Sequence, residues 1–264
     1  MKRLVLALSV LLAAPALAEE QSAAALSGSG APVAIDADSL EYNQTAKTYT
    51  ARGNAQVEQG GVIIRADVIT AAYNEGEGGK TNFTEVHAEG NVHITSGKGE
   101  VYGERGVYDV AREVAVLKGS NLRMVMGEDT VTAKDSLEFW QKQNLAVARG
   151  TAVAVRGTNR IESDVLTALM AKNAQGSMQV QRIGAEGNVM ITTPTEIAQG
   201  NTGTYDVAKQ LARVDGNVRI TRGQNQLNGN RAEVNMATGV SRLLAAPGQR
   251  VRALIVPKDA PQVR

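Results

Sequence analysis

Apolar and polar residues alternate along most of the chain. In Gly90-Asn91-Val92-His93-Ile94-Thr95, Val92 and Ile94 fall on one side and Asn91, His93 and Thr95 on the other. Gly187-Asn188-Val189-Met190-Ile191-Thr192 and Gly216-Asn217-Val218-Arg219-Ile220-Thr221 repeat the arrangement. A period of two bounded by Gly and Asn predicts β-strands with one apolar face and one face toward water. Gly53, Gly90, Gly119, Gly150, Gly187 and Gly216 are expected to open such strands. One stretch reads differently: Val165, Leu166, Leu169 and Met170 stand at helical spacing between Ser163 and Gly176. Its counterpart in the repeat described next, Ala66 to Asn74, is strand-like, so a strand is expected here too.

The chain is internally duplicated. Asp38-Ser39-Leu40-Glu41-Tyr42 recurs as Asp135-Ser136-Leu137-Glu138-Phe139, and Ala51-Arg52-Gly53 as Ala148-Arg149-Gly150. Ala88-Glu89-Gly90-Asn91-Val92 recurs as Ala185-Glu186-Gly187-Asn188-Val189, and Tyr108-Asp109-Val110-Ala111 as Tyr205-Asp206-Val207-Ala208. All four pairs share one offset of 97 positions, so residues 38–119 align with 135–216 without a gap. Two halves, about 38–121 and 135–218, therefore sit inside a repeat region of 33–245, and an elongated all-β fold is expected.

The ends differ from this region. Lys2 and Arg3, the apolar run Leu4 to Ala14 and Ala16-Leu17-Ala18 before Glu19 form a secretory signal peptide, residues 1–18. Residues 19–32 are Ala/Ser/Gly-rich and read as a disordered linker, and 246–264 as a flexible tail. The exported chain has no cysteine, so it must fold without disulfides. Removing 1–18 takes two of 28 basic residues and none of 27 acidic ones. That balance argues against non-specific nucleic-acid binding. With two Phe, one Trp and six Tyr, the core must be filled by Val, Ile, Leu and Ala.

Catalytic chemistry is sparse. There is no thiol, and His87 and His93 read as solvated outer-face residues rather than metal ligands. Gly79-Lys80-Thr81 lacks the Gly a phosphate loop needs five residues earlier, so Asn74 to Lys80 reads as a polar hairpin loop. The carboxylates Asp38, Glu41, Asp135 and Glu138 are copied with the scaffold and read as structural. No cofactor or metal is expected.

The apolar face can be filled by facing side chains or can enclose a ligand. Candidate inward positions are Ile35, Leu40, Val57, Val62, Ile64, Val92, Ile94, Tyr108, Leu137, Val189, Ile191, Tyr205, Val218 and Ile220. At Ala152 to Val155 both faces are apolar and the register stays open. A Val/Ile lining suits flexible acyl chains, whose exposure costs about 0.8 kcal/mol per methylene. Two other readings remain: a surface β-repeat protein with a filled core, and a parallel β-helix enzyme acting on polysaccharide. Uneven spacing of Gly53, Gly90, Gly119 and Gly150 fits the uniform coils of a β-helix poorly.

Asp-Ser-Leu-Glu-Tyr, Gly-Asn-Val-x-Ile-Thr and Gly-x-x-Gly-x-Tyr-Asp (Gly103 to Asp109, Gly200 to Asp206) resemble the OstA-like family of lipopolysaccharide-export proteins over roughly residues 33–245. The resemblance implies a twisted open β-jellyroll of antiparallel strands that holds the acyl chains of lipid A. It also implies a periplasmic location and head-to-tail association between an LptC-like inner-membrane partner and an LptD-like outer-membrane partner. It supplies no catalytic residue.

Overall fold

The computed structural model describes residues 32–76, 81–97, 99–173, 176, 178–235 and 237–256. The expected signal peptide, nearly all of the 19–32 linker, residues 77–80 of the Asn74–Lys80 loop and the tail beyond 256 lie outside the described residues. Among the described residues eighteen strands join in one sheet, and every pairing is antiparallel. An antiparallel sheet excludes the parallel β-helix.

Two short strands, β1 (Ala34–Asp36) and β2 (Ser39–Asn43), share one long edge of β3 (Thr48–Gln59). Hairpins then lead through β4 (Val62–Glu75) and β5 (Thr81–Ser96) to β6 (Gly99–Asp109). The far edge of β6 is shared by β7 (Val114–Lys118) and β8 (Leu122–Met126). β8 pairs with β9 (Asp129–Ala133) and β7 with β10 (Ser136–Trp140). Both new strands lie along β11 (Leu145–Arg156), joining the halves. The meander resumes through β12 (Asn159–Lys172), β13 (Met178–Thr192), β14 (Ile197–Asp206), β15 (Leu211–Arg222) and β16 (Asn225–Asn235). β17 (Val240–Leu244) and β18 (Arg252–Leu254) share the last edge.

The duplication carries through to these elements. β3 and β4 recur residue for residue as β11 and β12, at the offset seen in sequence. The stretch with helical spacing lies in β12, so the repeat, not the local period, decides its conformation. Pairing with β11 on one side and β13 on the other, and packing across those strands, override the local spacing.

The glycines require a correction. Gly53, Gly90, Gly150, Gly187 and Gly216 do not open strands; each lies inside one. At each, the register shifts between the flanking pairs, as at Arg52/Ala55 and Glu89/Val92. Gly90 has φ +75° and Asn91 φ +48°, two successive left-handed residues that place an extra residue in the strand. The neighbouring strand holds this bulge: Asn91 Nδ2 donates to both carboxylate oxygens of Asp67 at 3.0 and 3.1 Å. A Cβ on Gly90 would sit 2.7 Å from Asp67 Cγ, so only Gly fits. Asp164 holds Gly187-Asn188 in the same way, and Asp38 holds Gly53-Asn54. Asp38 and Asp135, read as structural from their repetition, are thus bulge partners. At Gly150 the following residue is Thr151, and at Gly216 the partner is Asn201.

Each bulge bends its strand, and the row of bulges folds the long sheet over its own apolar face. Residues on one side of the bends (Ala51, Ile69, Ala88, Leu117, Leu137) then share one core with residues on the other side (Ile64, Val92, Leu122). A second cluster around Val214, Val218 and Ile220 continues it, with Ile191 packed against both. Burial at the bends is complete: Ala55 and Ala152 are 0% exposed. Ala152 and Ala154 point inward, which resolves the register left open at Ala152 to Val155. One more expectation is corrected within 246–264, where Arg252–Leu254 is not a free tail but pairs with Gln226–Asn228.

Bulge geometry predicts unequal tolerance to one added methyl group. Gly90→Ala should lose about 1–3 kcal/mol, the cost of a strained backbone, in urea unfolding. Gly97→Ala, where φ is not left-handed and no atom lies within 4 Å, should change stability by less than about 0.5 kcal/mol. Equal effects at the two sites would reject the bulge as a required element.

Candidate functional site

Directly opposed residues in an antiparallel pair put their side chains on the same face. Following those pairs from strand to strand traces the interior. Beginning at the first edge, Ile35 lies opposite Val57, Val57 opposite Ile64, Ile64 opposite Ile94 and Ile94 opposite Val101. Val101 leads to Met124, Met124 to Val131, Val131 to Ala154 and Ala154 to Ile161. Ile161 meets Ile191, then come Ala198, Ile220, Leu227 and finally Ala253 on the last edge. This apolar row crosses fourteen strands without a polar interruption.

A second row runs along the other arm of the bent strands. It starts at Leu40 and passes Ala51, Ile69, Ala88 and Gly106 to Leu117. It crosses between the halves at Leu137 and continues through Ala148, Leu166, Ala185 and Gly203. Val214, Ala232 and Leu243 complete it. Small residues stand between large ones, which keeps this arm thin enough for the opposite arm to approach. The glycines of Gly-x-x-Gly-x-Tyr-Asp serve the same end: a Cβ on Gly103 would press on Leu122 Cδ2 at 3.1 Å.

Most inward candidates from the sequence fall on these rows or beside them. Val62, Ile64, Val92, Leu137, Val189, Val218 and Ile220 are buried, and Val57, Ile94 and Ile191 are half-buried against the core. Tyr108 and Tyr205 lie on a neighbouring line, opposite Val86 and Ile183, one buried and one half-buried. Ile35 and Leu40 face the same side but are 36% and 56% exposed. They are therefore not enclosed; they mark where the rows run out at the open edge. Sequence reading missed Ile69, Val101, Leu117, Met124, Val131, Ile161, Leu166 and Leu227, although continued alternation across each hairpin would have reached them.

The outer face is polar. His93 stacks on Tyr102 with centroids 4.4 Å apart, and Arg123 lies over the same Tyr102 ring at 4.6 Å. His87 pairs with Glu85 at 3.0 Å, so both histidines point outward as expected. Glu138 accepts from Ser136, Trp140 and Arg149; burial opposes its ionisation, but these donors win and hold the carboxyl below its usual range. One rim carries an aromatic cluster, with Tyr49 stacked on Tyr42 at 4.8 Å and close to Tyr73 at 5.2 Å. The Tyr73 hydroxyl donates to Tyr42 Oη at 2.9 Å, and this bond together with burial pushes it up to about 12. Among the described residues no group of three or more His, Asp or Glu could hold a metal ion.

The sequence model of one family, described as the LptA/(LptD N-terminal domain) LPS transport protein family, matches residues 34–135 and again 130–240. The chain belongs to this family. Its two matches meet where β9 gives way to β10. An uncharacterised protein of Rhizobium meliloti (strain 1021) is 26% identical over 102 residues, 37% of this chain and 55% of that protein. The chain thus spans about half the length of that curated relative. The crystal structure of LptH, the LptA-homologous periplasmic component of the lipopolysaccharide transport device of Pseudomonas aeruginosa, aligns at 21% identity and a TM-score of 0.42. It covers 49% of this chain and 95% of that one.

Two leucines test whether the rows are closed in the middle and open at the edge. Leu122, 1% exposed, should lose about 2–5 kcal/mol as Leu122→Ala. Leu40→Ala should change unfolding of the monomer by less than about 0.5 kcal/mol. A large loss at Leu40 in dilute protein would mean that the first edge is covered by its own chain.

Proposed function

We propose that this chain binds lipopolysaccharide through its acyl chains and carries it across the periplasm. In this reading it stands between an LptC-like inner-membrane protein and an LptD-like outer-membrane protein, joined head to tail with further copies. The observation that carries the reading is the pair of apolar rows running from one sheet edge to the other. Each acyl methylene left in water costs about 0.8 kcal/mol, so a chain of about a dozen carbons costs roughly 10 kcal/mol. A carrier must cover that length continuously. The rows offer such cover, and family membership supports the ligand. The task is transport, with no bond made or broken, and needs no cofactor. The sequence features of an exported protein accord with the periplasm.

One observation favours a second reading, a β-repeat protein whose interior is wholly filled. Val92, Val189 and Val218 are each 1% exposed, so side chains already occupy the interior at the bends. In the lipid reading acyl chains lie beside the half-buried row residues Val57, Ile94, Val101, Ile161 and Ile191 instead.

Photocrosslinking in a Gram-negative host separates the two readings. A photoreactive residue at Ile191, which lies on the row, should give lipopolysaccharide adducts. The same residue at Met190, opposite Gln199 on the other face, should give none. Folded, exported protein with no adduct at either site would favour the filled interior.

A further inference from the structure

One margin of the interior is polar, and only in the second half. Alternate residues along a strand share a face. Val131, Ala154, Ile161, Ile191, Ala198, Ile220 and Leu227 lie on the first apolar row. Two positions nearer the hairpin turns, on the same inner side, stand Asp129, Arg156, Asn159, Thr193, Glu196, Arg222 and Asn225. Arg156 lies opposite both Asp129 and Asn159, and Arg222 opposite Asn225. Between these pairs the Thr193 amide donates to the Glu196 carbonyl at 2.9 Å. At the offset of 97, the first half has Gln59, Val62, Ser96 and Gly99 where the second has Arg156, Asn159, Thr193 and Glu196. The duplicated scaffold is the same; the chemistry of this margin is not.

These polar groups do not satisfy one another. Arg156 donates through Nε and Nη2 to the two carboxylate oxygens of Asp129, but its buried Nη1 has no hydrogen-bond partner among the described residues. Asn159 donates from Nδ2 to the Arg156 carbonyl at 3.3 Å, and its buried Oδ1 has no partner there either. The Glu196 side chain is 1% exposed; Oε2 accepts from Arg222 Nη2 at 2.9 Å, and Oε1 is unpartnered among the described residues. Buried polar atoms nearly always find partners, because an unmade bond costs stability. Of five buried side-chain atoms without one among the described residues, three fall on this single row. Packing does not require them: Val62, at the place of Asn159, is just as buried.

The unmet groups are one cationic donor and two acceptors, one of them a carboxylate oxygen. Around them the charges cancel, Asp129 and Glu196 against Arg156 and Arg222. A phosphate would meet the Glu196 carboxylate with no net positive field to hold it. A neutral group fits all three atoms when it carries hydroxyl or amide N–H donors and a carbonyl acceptor. Two residues of strand span about 7 Å, so such a group would sit one short step from Ile161 and Ile191. We infer that Arg156, Asn159 and Glu196 hold the hydroxyl and amide groups at the head of an N-acylated amino sugar, with its chain along Ile161 and Ile191. The inference rests on the lipid-binding reading above and gives the ligand a fixed place and direction.

Calorimetric titration of the full mature chain with two probes tests it. One probe is glucosamine bearing an N-linked β-hydroxyacyl chain of about a dozen carbons. The other is the methyl ester of the unsubstituted acid of the same length, which has the chain and no donor. Wild type should bind the sugar probe at least about tenfold more tightly than the ester. Asn159→Val, which installs the residue of the first half, should weaken sugar binding about five- to tenfold and leave the ester unchanged. It should also raise the urea midpoint, because an unpaired buried group has gone. Glu196→Gln with Arg222→Gln removes both charges together and should likewise weaken the sugar probe alone. Unchanged sugar binding in both variants would make the row a structural lock and overturn the site. Equal affinity of wild type for the two probes would overturn it too, while leaving the chain-binding reading in place. Binding of neither probe would sink both.

Discussion

The fold depends on a short polar contact: an Asp carboxylate receiving the side-chain amide of an Asn held in left-handed conformation on the next strand. Without it a fourteen- or sixteen-residue strand would run on as a twisted ribbon, with its apolar face open. With it, Gly and Asn take positive φ together, one extra residue enters the strand, and the strand bends. Because Asp67 on β4 and Asp164 on β12 hold corresponding bulges, the bends line up. The sheet then folds over itself as a unit. Each contact is exposed and worth only about 1 kcal/mol. Their importance lies in position, since each decides which residues can meet across the interior.

Given the bend, composition follows. Two arms of one sheet can approach only if facing rows are not both large. The thin arm accordingly alternates Ala51, Ala88, Ala148 and Ala185 with Ile69, Leu117, Leu137 and Leu166. Gly106 and Gly203 remove side chains altogether where Val92 and Val189 pass. Aromatic rings would hold the arms apart, and four of the nine in the chain gather at the rim, Tyr42, Tyr49, Tyr73 and Phe83. The same economy of volume that closes the centre leaves Val57, Ile94, Val101, Met124, Val131, Ile161 and Ile191 only half-buried.

Much of this was legible before any coordinates. Alternation gave the inward face at Val92, Ile94, Val189 and Ile191, because a period of two survives wherever one face is buried. The duplication settled β12 against its own helical spacing. The bulges were not legible in this way. Gly-Asn is also the signature of a turn, and only the strand on the far side, with Asp67 or Asp164 at the matching level, distinguishes a bend within a strand from its beginning. Leu40 shows the other blind spot. Its sequence context is that of Leu137, yet its burial differs because burial depends on which strand lies next to it, a fact that sits outside the local pattern.

That contrast bears on why a duplicated chain should exist at all. A sheet unit with two open edges must either leave them in water or join them. In this chain the joint between halves is covalently assured, since a linker of a few residues between β8 and β9 presents β9 and β10 to β8 and β7 at high effective concentration. The interior rows cross that joint through Leu117–Leu137 and Met124–Val131 with no change of chemistry. Doubling the unit thus nearly doubles the length of both rows with no break in covalent connection between the halves.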